Sequence, residues 1–353
     1  MTPLNVLIMG ASYGSLLATK IVLAGHNATM VCLPAEAELF NAEGAIIRMP
    51  VRGRDALVEI RTAGLAESLA ACSPEEADPA AYDLAVLAMQ EPQYASPAVN
   101  ALLQKLAQSN IPTMSIMNMP PLSFMRRLPG VDTDQLRSCY TEPSVWDGFN
   151  PDKFTLCSPD PQAFRPPEEK LNVLQVRLPT NFKAASFGDA ADTEILRHLQ
   201  KDIEAVRFAL DDGSEIELPV KLKVHDGLFV PLAKWAMLVA GNYSCVAADG
   251  IRSIEEAVHS DLETTREIYH WVVDLCISLG GSPDDFVPFE KYANAAKSLG
   301  SPSSAARALV AGAKNIERVD KLVQTLATSK GQQLDSLDET VALVDGWLEK
   351  NRA

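Results

Sequence analysis

Three things are scarce in this chain of 353 residues. No apolar stretch reaches the ~18 uncharged residues that a bilayer-crossing helix needs, so no membrane span is expected. Basic residues never form a run: 31 Lys and Arg stand against 46 Asp and Glu, giving a formal net charge of -15. Phosphate backbones are bound by clustered cations, so nucleic acid is excluded as a partner. An anionic small molecule must instead be held by a few local cations inside a cleft, against the field of the whole protein. A lone buried Lys or Arg therefore carries information. The third scarcity is paired cysteine: Cys32, Cys72, Cys139, Cys157, Cys245 and Cys276 are scattered without C-x-x-C or metal-ligand spacing, and read as reduced core residues. Met1-Thr2-Pro3 leads directly into an apolar run with no secretory signal, so a cytoplasmic location is expected and no metal site.

What is present is the composition of a globular protein, 47% hydrophobic and 22% charged, long enough for two domains. Asn5 to Met9 is a continuous apolar run, the pattern of a buried parallel strand. Gly10 to Gly14 makes a tight turn, and Ser15 to Ala24 carries Leu16, Leu17, Ile21, Val22 and Leu23 at helical spacing before Gly25-His26-Asn27 stops it. Ala28 to Leu33 is a second strand. Further on, Arg52-Gly53-Arg54 turns a hairpin, Asp83 to Met89 and Thr113 to Asn118 are buried strands, and Pro97 to Gln108 is a helix. From Asp226 onward the pattern is helix after helix: Leu228 to Cys245, Ile254 to Leu279, Ser303 to Thr328 and Asp338 to Lys350. The expected fold class is α/β, an N-terminal Rossmann-type doubly wound sheet followed by an all-helical C-terminal domain. The boundary falls near Pro219, giving a dinucleotide-binding domain over residues 1–219 and a helical substrate and dimerisation domain over 220–353.

The glycine turn, Gly10-Ala11-Ser12-Tyr13-Gly14, is a shortened G-x-G-x-x-G. Gly10 serves the tight turn and Gly14 the packing of helix on strand, which leaves Ser12 where the usual second glycine lets backbone approach a pyrophosphate. The serine hydroxyl and the free N–H groups of the helix start can still bind phosphate; the bland alternative is a loop that only reverses direction. The acidic residue expected about 20 positions later for the ribose hydroxyls has no clear occupant. Glu36 and Glu38 lie slightly beyond the second strand and no arginine stands nearby for a 2′-phosphate, so NAD and NADP are not distinguished.

In LFVPLAKWAMLVAGNYS, residues 228–244, Lys234 is the only charge. A lysine in such a run either snorkels to the surface or is kept with a lowered pKa for function. Asn242, eight residues on, lies on nearly the same helix face. A lysine that gives up a proton near neutral pH, beside an amide that orients a carbonyl, suits general acid catalysis of carbonyl reduction. Asp226 reads as a helix N-cap, and His270-Trp271 as packing or an interface.

These residues resemble the ketopantoate reductase family, relatives of 6-phosphogluconate dehydrogenase with a Rossmann domain followed by a helical one. VLIMGASYGSLLA matches the opening loop, DLAVLAMQEPQ the central strand, IMNMP a short asparagine motif and LAKWAMLVAGN the catalytic helix. The resemblance implies that Lys234 protonates the oxygen formed from a 2-oxo group as hydride arrives from the nicotinamide. It puts Asn242 and Asn118 at the substrate and nicotinamide, Ser303 and Ser304 on the substrate carboxylate, and Glu317 on an acidic position of the substrate site. Residues 10–14, Gln90 and Asn118 would contact the cofactor, NADP or NAD. Leu238 replaces an asparagine and Gln90 a lysine, which implies a less polar substrate or a different 2-oxo compound, and Leu33 replaces a phosphate-binding arginine, which weakens the case for NADP. The reading is an NAD(P)-dependent oxidoreductase reducing a small 2-oxo acid in the cleft between its domains, as a homodimer. An opine-type imine reductase and a catalytically silent nucleotide- or metabolite-binding protein are the alternatives.

Overall fold

The computed structural model describes residues 2–65, 68–210 and 212–353. The chain forms two compact units, one built from Met1–Met89, Gln93–Met117 and Val145–Asp226, the other from Gln90–Pro92, Asn118–Ser144 and Gly227–Ala353.

In the first unit β1 (Asn5–Met9) buries four consecutive apolar side chains, as a strand covered on both faces must. It is followed by α1 (Tyr13–Leu23) and β2 (Asn27–Val31), then by α2 (Pro34–Glu43), β3 (Ile46–Met49), β4 (Val58–Arg61), β5 (Leu69–Cys72) and β6 (Leu84–Leu87). α3 (Pro97–Ser109) and β7 (Thr113–Ile116) follow; α4 (Leu122–Met125) and α5 (Thr133–Leu136) belong to the second unit, and the chain returns with β8 (Phe154–Ser158), β9 (Gln162–Phe164), β10 (Val173–Leu178), β11 (Phe182–Ala185), α6 (Ala190–Ala205), β12 (Phe208–Ala209), β13 (Glu215–Ile216) and β14 (Leu222–His225).

The main sheet has the order β14-β11-β8-β7-β6-β1-β2-β5. From β5 to β8 every pair is parallel, and the order of those six strands is that of a dinucleotide-binding sheet, with its switch point between β1 and β6. A second sheet, β4-β3-β10-β9, contains the expected hairpin over Ile46–Met49 and Val58–Arg61.

Two expectations about organisation need correction. The first unit runs past Pro219, because β14 pairs with β11 from Phe182↔Leu222 to Ala185↔His225. Residues 118–144 fold with the helices although they lie between two strands of the sheet. The sequence also hides α2: only Ala37 and Phe40 give it an apolar face.

The second unit is helical apart from a two-stranded ribbon, with α7 to α13 at Lys234–Met237, Ile254–His259, Leu262–Ser278, Phe289–Ala296, Ser304–Val310, Val319–Ser329 and Asp335–Arg352. The expected single helix from Ile254 to Leu279 breaks because Asp261 accepts the Thr264 N–H and caps a new start. The one from Ser303 to Thr328 breaks at Gly312, whose φ of 86° ends α11. Among the described residues no helix is long and apolar enough to cross a membrane.

A cluster unseen in the sequence ties the end of α1 to α6. The His26 ring is 3% exposed, its Nδ1 accepts the Leu4 N–H at 3.1 Å, and its Nε2 lies 3.3 Å from the Asp202 carboxylate, which also receives His198 Nε2 at 2.8 Å. The three potential ligand atoms lie within 4.8 Å of one another. A metal would need the Nε2 lone pair of His26, and the backbone bond to Nδ1 leaves the neutral ring with its proton on Nε2. Burial lowers the His26 pKa below its usual value. A histidine buried neutral stabilises the fold above its unfolded pKa of about 6.5 and that contribution is lost as pH falls, because the unfolded chain then binds more protons. The urea midpoint of the wild-type protein is therefore expected to fall more steeply between about pH 7 and about pH 5 than that of His26→Gln; equal slopes would remove this role.

Candidate functional site

At the glycine turn, Gly10 has φ 103°, and a Cβ there would lie 2.6 Å from Met89 Cγ and 2.7 Å from the Ala88 carbonyl oxygen. Only glycine both adopts this turn and allows β1 to end against β6 at the switch point. Gly14 packs α1 on β1: its Cβ would come within 2.8 Å of Ile8. Ala11 is buried, while Ser12 and Tyr13 are half-buried. The Ser12 side chain caps nothing, and among the described residues the N–H groups of Tyr13 and Gly14 have no acceptor. Unsatisfied amides at the start of an 11-residue helix, carrying the positive end of its dipole, fit a pyrophosphate. The Tyr13 phenol donates to the Pro161 carbonyl at 2.5 Å, and burial pushes its pKa up to about 12, so it stays neutral.

The absence of a charged pair at the end of β2 is overturned by tertiary structure. Glu36 folds back over the first turn of α2, where its Oε2 accepts the Leu33 N–H at 3.3 Å. Arg165, 129 residues later in the chain and just past β9, donates to its Oε1 at 2.5 Å. The Arg165 NH2 group is buried and without an acceptor among the described residues. Leu33 itself is 69% exposed.

In the second unit the expected helix from Leu228 to Cys245 is not one regular element. It starts later, with a 3₁₀ turn at Pro231–Ala233, becomes α-helical at Lys234–Met237, widens to a π turn at Leu238–Asn242 and closes as 3₁₀ at Tyr243–Cys245. Asp226 is not its cap: that carboxylate is exposed and pairs with Arg197. The π turn has identifiable causes. Tyr292 donates its hydroxyl to the Met237 carbonyl at 3.2 Å and occupies the space beside Gly241, whose Cβ would lie 2.1 Å from that oxygen. Ser244 donates to the Val239 carbonyl at 3.2 Å, five residues back.

Lys234 and Asn242 are both half-buried, separated by about 12 Å of helix rise. In a uniform α-helix eight residues leave an offset of about 80°, and the wider π turn reduces it, bringing the two side chains closer to one face. Leu238, between them, is 6% exposed.

Tyr243 connects this helix to the turn that carries Glu317. Its hydroxyl donates to the Glu317 carbonyl at 2.5 Å and accepts the Val319 N–H at 3.0 Å. The Glu317 carboxyl accepts the Asn118 side-chain amide at 3.3 Å and the Glu91 N–H at 3.4 Å. Burial pushes its pKa up to about 7, against the opposing pull of the Asn118 amide. Glu91 is itself buried, with a raised pKa, and accepts the N–H and hydroxyl of Thr141, both at 2.9 Å. The Asn118 Oδ1 is buried and without a donor among the described residues. Arg318, next to Glu317, is clamped by Asp320 at 3.0 and 2.9 Å and by Asp345, so the turn is rigid.

Asn118, Glu317 and the end of the Lys234 helix thus form one connected assembly. Ser303 joins it structurally: its hydroxyl donates to the Asn242 carbonyl at 2.6 Å and accepts the Ala306 N–H at 3.2 Å as the cap of α11. Ser304 is exposed on the first turn of α11, and Gln90 is exposed beyond β6. Glu91, Tyr243 and Arg165 were missed by sequence reasoning; Glu91 sat one position from a residue that was singled out.

No family model matches the chain, and no curated protein matches it in sequence. Solved structures do match along the whole length. 2-Dehydropantoate 2-reductase from Methylococcus capsulatus is 12% identical with a TM-score of 0.66, covering 99% of this chain and 98% of that one. A ketopantoate reductase from Ralstonia eutropha JMP134 is 14% identical with a TM-score of 0.63, covering 99% and 100%. D-mandelate dehydrogenase, determined with NADH and anilino(oxo)acetate, is 12% identical with a TM-score of 0.63 and 99% coverage of both chains. The chain has the fold of these proteins.

The raised pKa of Glu317 fixes the sign of a stability effect. Between about 4.5 and about 7 the folded chain holds a proton that the unfolded chain releases, so this group's contribution falls as pH rises through that window. Glu317→Gln, which cannot ionise, is expected to gain in melting temperature relative to wild type as pH is raised from about 5 to about 8. A constant difference across that range would show that the carboxyl titrates normally.

Proposed function

We propose that this protein reduces a small 2-oxo acid with hydride from a nicotinamide cofactor. The observation that carries the reading is the assembly around Tyr243, which joins the helix of Lys234 and Asn242 to the Asn118–Glu317 hydrogen bond. When bound, the cofactor supplies the hydride; the chain supplies position and a proton. The amides at the start of α1 hold the pyrophosphate. Lys234 delivers a proton from Nζ to the oxygen formed from the carbonyl, the Asn242 amide orients that oxygen, and the Asn118 Oδ1 offers an acceptor next to a carboxyl poised near neutrality. Leu238 is buried where the ketopantoate reductase pattern has an asparagine, which favours a 2-oxo acid with an apolar substituent. The likeness to a mandelate dehydrogenase holding anilino(oxo)acetate supports the same direction.

For the cofactor we favour NADH. Glu36 returns its carboxylate to the end of β2, where ribose hydroxyls are bound in such folds, and Arg165 holds it there. A 2′-phosphate would face that carboxylate.

Titration of the protein with NADH, followed by nicotinamide fluorescence, and then a panel of 2-oxo acids with alkyl and phenyl substituents tests the reading. Lys234→Ala is expected to bind NADH as wild type does and to lose turnover by a factor of about 10² to 10⁴. Undiminished turnover in that variant would overturn the assignment. Binding without turnover by the wild type across the panel would instead favour the catalytically silent reading, to which Leu238 and Gln90 lend support. Glu36→Gln removes the repelling charge and leaves Arg165 available to a phosphate. Its ratio of NADPH to NADH affinity is expected to rise about tenfold; an unchanged ratio would discard Glu36 as the selector.

A further inference from the structure

Lys20 is the one cation of α1 and is 1% exposed. The only hydrogen bond of its ammonium among the described residues is to the Pro219 carbonyl, at 3.0 Å. An ammonium has three protons, and burying one with a single acceptor is costly. Pro219 lines a concave pocket of about 510 Å³, whose other walls include Arg207, Lys221, Lys223, Glu204 and Glu217. On a chain of net charge -15 this pocket has three cations against two carboxylates, with Lys20 one carbonyl away.

The backbone here is held in an unfavourable conformation. Val220 has φ 63°, the left-handed region that a β-branched residue rarely adopts. It joins the two residues that matter: Pro219, whose carbonyl meets Lys20, and Lys221, whose N–H donates to Asn181 Oδ1 at 2.9 Å while its side chain lines the pocket. Helix capping explains part of the charge. Arg207 donates to the last carbonyls of α6, those of Glu204, Ala205 and Val206, as a cation at a helix C-terminus commonly does. Capping does not explain Lys20, which touches none of them, and explains Lys221 only in part: its Nζ reaches the Glu204 carbonyl at 3.4 Å, but its closer partner, at 2.7 Å, is the exposed carboxylate of Glu217.

We propose that this pocket binds a small doubly charged oxyanion, a phosphate monoester or a dicarboxylate, held by Lys221, Lys223 and Arg207 beside the buried Lys20 ammonium. The Glu217 carboxylate occupies the anion position in the free protein and swings into solvent when the ligand arrives. Its exposure of 61% leaves it room to do so. Burial and the neighbouring Lys221 lower the Lys20 pKa to about 7, a displacement that an adjoining anion would offset. The site shares no residue with the Gly10–Gly14 turn and is independent of the reductase reading.

Calorimetric titration of the full chain with inorganic phosphate and, separately, with malonate tests the proposal. Saturable binding is expected to weaken about tenfold in Lys221→Met, the loss of one charge-assisted hydrogen bond, and to tighten severalfold in Glu217→Gln, where the resident carboxylate is gone. Binding of phosphate alone assigns a phosphoryl ligand, of malonate alone a dicarboxylate, and of both a site that reads charge. Absence of saturation in wild type and in Glu217→Gln would overturn it. So would affinities indifferent to both substitutions, since the anion would then sit elsewhere, as at the start of α1.

Discussion

One phenol holds the candidate chemistry together. Tyr243 is buried, its pKa is raised far above the ordinary value by that burial, and its hydroxyl both donates to the Glu317 carbonyl and accepts the Val319 amide. A neutral hydroxyl with both hydrogen-bonding capacities used is a rigid connector. It fixes the turn carrying Glu317 to the end of the helix that begins with Lys234. The bidentate Arg318–Asp320 pair secures the same turn from the other side. Without this double anchoring, a carboxyl near neutrality would have no defined geometry to act from.

Burial acts on charge in opposite directions in the two units. In the second it raises the Glu317 carboxyl toward neutrality, and in the first it lowers the Lys20 ammonium to the same region. Desolvation is the largest cause of both; the Asn118 amide opposes it at Glu317, and the neighbouring Lys221 adds to it at Lys20. An acidic chain can therefore keep cations where they are needed only by placing them locally. It does so with Arg165 on Glu36, Lys221 on Glu217 and Lys223 on Glu204.

The irregular helix has a similar economy of cause. A tyrosine hydroxyl takes the Met237 carbonyl, a glycine makes room for it, and the chain widens into a π turn. That local defect changes the relative facing of Lys234 and Asn242, so the geometry of the site depends on residues outside the motif that names it.

Much was legible in the sequence. The apolar run of Val6 to Met9, the glycine turn, the order of strand and helix that follows, and the singular position of Lys234 are local patterns, because strand burial and helix periodicity are written in consecutive residues. Asn118 and Glu317, 199 positions apart, were each named from resemblance, yet their hydrogen bond is a property of the folded chain alone. The fold also decided what no window could contain: Arg165 on Glu36 across 129 residues, Glu91 beneath Glu317, the π turn induced by Tyr292, and the unit boundary moved past β14. Periodicity tells a residue which way to face. Which distant side chain it then meets is set by packing, and desolvation, the force that tunes the ionisable groups here, exists only once that packing is complete.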